Sequence, residues 1–171
     1  MAVEPIEGLR SMKQTMVWFL MALVLGGCAG RHVDYQSVSW KKLASLPYGP
    51  KVKRSKPLSV PPAIASLNGA SLRLSGYMLP VEMDGENVAT FILVRNQAMC
   101  CFGRTPEMNE WVMVRFRGGS SVPMNMDRPI SVSGNFEVGE ELEEGAVVSL
   151  YRMVAERVEI DEGKPAGWQA N

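Results

Sequence analysis

Beyond residue 70, apolar and polar residues alternate with a period of two, and that period predicts strands rather than helices. Leu72, Leu74, Gly76 and Met78 alternate with Ser71, Arg73, Ser75 and Tyr77. Asp84-Gly85 is a hairpin signal, and Val88 to Val94 is apolar enough for a central strand. Trp111 to Phe116 reads as a third strand. Ile130, Val132, Gly134, Phe136 and Val138 alternate with Ser131, Ser133, Asn135 and Glu137 in the cleanest pattern of the chain. A Glu-rich turn, Glu140 to Gly145, leads into a fifth run from Val147 to Ala155, and Arg157 to Ile160 extends it beyond a bulge.

Five strands predict a mainly β fold, a small closed or partly closed antiparallel barrel that hides its edges. Leu74-Ser75-Gly76-Tyr77 and Val132-Ser133-Gly134-Asn135 place a glycine inside the first and fourth strands, where each strand is expected to bend. Two long bent strands among five resemble the oligonucleotide/oligosaccharide-binding (OB) fold. Arg117 to Arg128 is rich in Gly, Ser and Pro and does not suit the helix that fold often carries there. An OB-like barrel without that helix is therefore expected, with a small antiparallel sandwich as the alternative.

The first residues follow a different logic. Arg10 and Lys13 form a positive n-region, and Met16 to Leu25 forms an apolar h-region, the pattern of an export signal. That run falls well short of the roughly 20 residues a spanning helix needs. Leu25-Gly26-Gly27-Cys28 resembles a bacterial lipobox, which implies a signal peptide over 1–27 and lipidation (palmitate among the acyl chains) on Cys28. Ala29 after the cysteine resembles lipoproteins sorted to the outer membrane. Met12-Lys13-Gln14 also has the form of a start followed by an n-region. Residues 28–56 read as a lipidated N-terminus and basic linker. Within them Ser39 to Leu46 suits a short helix with Trp40, Leu43 and Leu46 on one side, stopped by Pro47 and Gly49. The barrel is expected over 57–160, and a loose tail over 161–171. From Gln36 to Val81 there is no acidic residue, so this stretch suits either anionic headgroups or a solvated spacer.

Overall, Lys+Arg and Asp+Glu both number 18, and the net charge is zero. Nucleic-acid binders usually carry a basic excess, so no nucleic-acid partner is expected. With Cys28 used for lipid, Cys100 and Cys101 are left in a compartment that tolerates disulfides. Both lie in the connection from Gln97 to Trp111, where turn formers, thiols, thioethers and an indole crowd together. This connection is the candidate binding loop, with Cys100, Cys101, Arg104, Pro106, Glu107, Met108, Asn109 and Trp111 as its candidate residues.

Pro61 to Gly69, Leu74-Ser75-Gly76-Tyr77-Met78-Leu79-Pro80, Phe91 to Val94, Cys100-Cys101-Phe102-Gly103 and Pro106-Glu107-Met108-Asn109 occur in this order. The order resembles a family of small exported bacterial lipoproteins catalogued only as a domain of unknown function, over about residues 57 to 160. In many relatives the loop is closer to Cys-x-His with a proline run, and some occur near metal-uptake transport genes. The loop here has Cys100-Cys101 and no histidine. The resemblance implies no reaction.

The only histidine, His32, lies four residues past the lipobox cysteine, which excludes Ser-His and Cys-His nucleophile pairs within the barrel. Histidine-based zinc hydrolysis is disfavoured on the same ground. For Cys100-Cys101 three readings stand. A vicinal disulfide would join Cα atoms about 3.8 Å apart, a strained and easily reduced bond. Two thiolates with Met99 or Met108 would suit a soft metal such as copper, with zinc as a further possibility. Plain burial is the third. Met124-x-Met126 has a copper-ligand spacing, but Met78, Met113 and Met153 sit where core residues belong. Asn109 is expected to hold the loop by bonding nearby backbone, and Trp111 to be a core or rim aromatic. These features lead to a non-enzymatic, lipid-anchored, periplasm-facing binding or adaptor module with an envelope protein as partner and no required cofactor. Its rival is a copper- or zinc-handling or thiol-redox protein using Cys100 and Cys101.

Overall fold

The computed structural model describes residues 33–49, 58–96 and 105–161. Seven strands form one mixed sheet: β1 (Gln36–Ser37), β2 (Ser71–Asp84), β3 (Asn87–Val94), β4 (Trp111–Phe116), β5 (Val122–Pro123), β6 (Ile130–Glu143) and β7 (Ala146–Ile160). Two four-residue helices, α1 (Trp40–Leu43) and α2 (Pro62–Ala65), precede β2. The strand order is β1-β2-β6-β7-β4-β3-β5, with β2 also paired to β3. The pairings β2–β6, β6–β7, β7–β4, β4–β3 and β3–β2 thus return to the strand they start from.

The five expected strands are all present, and two short ones join them. The expectation of a purely antiparallel sheet is corrected, because β4 pairs β7 in parallel and β1 pairs β2 in parallel. Chain order accounts for the first, since β5 and β6 lie between β4 and β7 and give the chain room to cross over.

Alternation puts one side of each strand into a single core. Leu72, Leu74, Met78, Phe91, Leu93, Val112, Val114, Ile130, Val132, Phe136, Tyr151 and Met153 are all buried there. Both strand glycines sit where the ladder changes. β2 pairs β6 up to Gly76 and β3 from Tyr77 onward. At Gly76 an added Cβ would lie 2.4 Å from the Val94 carbonyl oxygen. Gly134 follows a register shift between β6 and β7, and a Cβ there would lie 2.2 Å from the Val154 carbonyl oxygen. The bends predicted from sequence are places where a neighbouring backbone needs the space of a side chain.

Part of the segment read as a linker belongs to the core. Trp40, Leu43 and Leu46 are buried against the strand residues, as are Ile64 and Leu67 from α2 and the turn after it. Ser39 caps α1 by accepting from the Lys42 amide. The carbonyls near the end of α1 receive side-chain donors from distant elements. The Tyr151 hydroxyl donates to Leu43 (2.8 Å), and the Asn109 carboxamide donates to Ala44 (3.2 Å) and Leu46 (2.8 Å). In the other direction, the Trp40 indole N–H donates to the Ser75 carbonyl (2.7 Å). Three apolar side chains, together with carbonyls a short helix leaves unpaired, account for docking rather than trailing in solvent.

The acidic stretch is also more structured than a hairpin tip. The turn itself is Glu144-Gly145, with φ of 49° and 82°, and Glu137 to Glu143 lie on β6. Glu137 pairs with Arg152 and Glu141 with Arg115.

Candidate functional site

The outer surface of β2, β3 and β4 carries a second apolar cluster. Tyr77, Val94 and Trp111 face one another across three strands, as do Leu79, Ile92 and Met113 in the next row. Their neighbours in sequence, Met78, Leu93, Val112 and Val114, point into the main core, so these six point away from it. Val94 and Trp111 are buried, with Trp111 only 8% exposed, while Tyr77, Leu79, Ile92 and Met113 are half-buried around them. Met108 packs against both clusters and ties the loop exit to the inside and the outside of the sheet.

Of the predicted site residues, Cys28, Met99, Cys100, Cys101 and Arg104 lie outside the described residues. The others form the base of the loop. Glu107 caps a 3-10 turn, Met108–Glu110, in a capping box: its side chain accepts from the Glu110 amide, and Glu110 accepts from the Glu107 amide (3.1 Å). Pro106 is half-buried just before this turn. Asn109 is 6% exposed and grips backbone more than sixty residues away rather than nearby, which corrects the local role expected of it. Trp111 is the buried aromatic that its position suggested. Met78 and Met153 are fully buried core residues, whereas Met124 and Met126 are exposed.

A different arrangement covers the outside of β2, β6 and β7. Ser75 and Ser131 face each other in register, with hydroxyl oxygens 2.6 Å apart. Ser131 donates to the Asp161 carboxylate at 2.7–2.8 Å, so the proton between the two serines comes from Ser75. Arg73 closes the group through Glu159 (3.2 Å) and Asp161 (3.8 Å). Both serines are buried and satisfied by these partners, an arrangement suited to holding strands together.

Charged groups border the apolar cluster. Thr90 donates to Glu82 beside the Met113 row. Arg115 hydrogen-bonds Glu141 at 2.8 Å and holds its carboxyl below the usual range; burial opposes this, and the Ser149 hydroxyl assists. Burial pushes the Tyr151 phenol well above its ordinary value.

The family described as protein of unknown function (DUF3299) matches residues 37–160. The chain belongs to the DUF3299 family. The match begins within β1, ahead of α1, in agreement with the burial of Trp40, Leu43 and Leu46. The chain is similar to the crystal structure of a DUF3299 family protein from Pseudomonas aeruginosa PAO1, at 25% identity and a TM-score of 0.57, covering 77% of this chain and 99% of that one. A putative aspartyl-tRNA synthetase from Leishmania major Friedlin aligns at 9% identity and a TM-score of 0.40, covering 88% of this chain and 26% of that one. No curated protein matches.

The sequence marks the loop but not the small cleft at its base, lined by Trp40, Ala44, Arg95 and Glu110. Arg95 carries no motif of its own, and Trp40 and Ala44 fall in the stretch that reads as a linker.

Proposed function

We propose that this DUF3299 protein is a lipid-anchored, periplasm-facing OB-like binding or adaptor module that engages an envelope protein and has no enzymatic activity of its own. The observation that carries this reading is the outer cluster: Tyr77, Leu79, Ile92 and Met113 stay only partly buried around Trp111, next to the base of the loop. Partly exposed aromatic and thioether side chains on a sheet are the composition of binding surfaces. The OB-like reading draws support from the returning strand order and the parallel pairing of β4 with β7 within it. Lipid attachment rests on Leu25-Gly26-Gly27-Cys28 and would keep the module at the outer membrane.

Photo-crosslinking in whole bacterial envelopes tests the partner. A crosslinker beside the cluster is expected to yield a discrete adduct that disappears when Tyr77 and Met113 are both changed to Ser. An adduct pattern indifferent to those changes counts against the reading. Labelling with palmitate, lost in Cys28→Ala, tests the anchor separately.

A further inference from the structure

The turn between α2 and β2 carries Asn68-Gly69, the one Asn-Gly pair in the sequence. Both residues are exposed. This dipeptide has a covalent chemistry of its own. The glycine amide nitrogen can attack the asparagine carboxamide carbon, because no side chain on the glycine crowds the closing ring. The bond from that carbon to the carboxamide nitrogen breaks, the glycine amide proton leaves with it as ammonia, and a five-membered succinimide remains. Water then opens the ring at either carbonyl and leaves aspartate or isoaspartate. Water is the sole co-reactant. Every other asparagine that has a successor is followed by a residue with a side chain, which slows the same attack.

In the folded protein both reacting groups are engaged. The Gly69 N–H donates to the Phe136 carbonyl (2.7 Å), and the Val138 N–H donates to Asn68 Oδ1 (2.9 Å). The Asn135 carboxamide donates to the Gly69 carbonyl (3.0 Å), and the Phe136 N–H to that of Ala70 (2.9 Å). These bonds carry the contact with β6 past Ser71 and Asn135, where the β2–β6 register ends. The two central bonds act on the reaction in opposite directions. The Val138 amide donates to the oxygen on which negative charge builds during attack, and so favours the reaction. The Phe136 carbonyl favours the Gly69 nitrogen with its proton on, whereas attack requires that proton to leave. The electrophile is primed and the nucleophile is held.

We propose that Asn68 is a self-modification site, where loss of ammonia is restrained by the bond from Gly69 to Phe136 and proceeds through local opening of the α2–β2 turn. The two products differ in consequence. Aspartate keeps an oxygen for the Val138 N–H. Isoaspartate adds a methylene to the main chain and moves Gly69 out of line with Phe136. That product should loosen α2, because Ile64 and Leu67, just before the turn, are buried in the core.

The test incubates the full chain in detergent micelles in mildly alkaline buffer, with a second sample in urea at the same pH. Peptide mapping by mass spectrometry, with chromatographic separation of the isomers, follows every asparagine. Asn68 is expected to react first in both samples. The folded chain should react roughly tenfold more slowly or slower still, since two ordinary hydrogen bonds must open first. Asn135→Ala removes the donor to the Gly69 carbonyl and should speed both the modification and hydrogen exchange at the Gly69 amide. Arg115→Gln, remote from the turn, should change neither. Asn68→Asp mimics the aspartate product and should keep the native backbone spectrum, whereas the purified isoaspartate form should show raised exchange in α2. Equal rates in the folded and unfolded chain would overturn the proposal, because the bonds to β6 would then restrain nothing. Earlier reaction at another asparagine, or no reaction at Asn68 even in urea, would overturn it as well. So would an Asn135→Ala variant in which Gly69 exchange rises and the modification rate does not.

Discussion

The two outer faces of the sheet share strand β2 and differ in almost everything else. Before Gly76, β2 turns Arg73 and Ser75 toward β6, where hydroxyls, a guanidinium and two carboxylates satisfy one another. After Gly76 the same strand turns Tyr77 and Leu79 toward β3 and β4, where aliphatic and aromatic side chains pack around Trp111 and stay only partly buried. A face whose polar groups are already paired has little to offer a partner, because any new bond must displace an existing one. A face with partly covered apolar groups has free energy left to release on binding. The contrast favours recognition on the β2–β3–β4 side and strand cohesion on the β2–β6–β7 side.

The largest change should come from removing the centre of the apolar face. Trp111→Ala is expected to lower stability by about 3–4 kcal/mol, as for other buried large aromatics, with chemical denaturation as the measurement. On the polar face no single residue should matter as much.

Next come the two glycines that set the boundaries. Gly76→Ala would drive a Cβ against the Val94 carbonyl, and Gly134→Ala against that of Val154. Each obstacle is backbone, so the strands must separate, and a loss of about 2–3 kcal/mol is expected for either variant. The two should differ in location. Hydrogen exchange should rise first around β3 in Gly76→Ala and around β7 in Gly134→Ala. Uniform loosening in both would break the view that Gly76 divides two independent faces.

Hydrogen-bonded side chains give intermediate effects. Asn109→Leu leaves the Ala44 and Leu46 carbonyls without their donor and should cost about 2 kcal/mol, with raised amide exchange in α1. Ser131→Ala removes one centre of the Ser75–Asp161 chain and should cost about 1 kcal/mol. A double-mutant cycle with Ser75→Ala should show strong coupling for Ser131 and none for Asn109, since only the first pair is in contact.

Part of this arrangement was legible in the sequence. Alternation identified the inner residues of β2 and β6, and apolar runs marked β3, β4 and β7 as strands without saying which of their side chains face inward. The two strand glycines marked places where the ladder changes, because an alternating run omits a side chain where another backbone comes close. Three things were hidden. The docking of Trp40, Leu43 and Leu46 depends on carbonyls being met by Asn109 and Tyr151, partners 63 to 108 residues away that no local pattern reveals. The parallel β4–β7 pairing is a matter of crossover, and alternation reports only which face a side chain takes. The Glu-rich run looked like a turn because acidic residues are common in turns, yet Glu141 within it pairs with Arg115, and Glu137 just before it with Arg152.

The smallest effect, and the one that tests the border between the faces, belongs to Glu141. Arg115 depresses its carboxyl, with burial opposing and Ser149 assisting. A carboxyl held below its ordinary value stabilises the fold above its unfolded pKa of about 4.5. That contribution fades as pH falls through the lower folded value, once the carboxylate takes up its proton in the native state as well. Stability should therefore decline below about pH 4.5 by no more than roughly 1 kcal/mol from this pair, because both side chains are partly exposed and screened. Arg115→Gln should flatten that segment of the pH profile, and added salt should flatten it in the wild type. The Ser75–Ser131–Asp161 chain should respond less to salt, since two of its members are buried hydroxyls and not exposed charges. If salt weakened both to the same extent, the polar face would be held by long-range charge, and the distinction between a closed face and a receptive one would lose its physical basis.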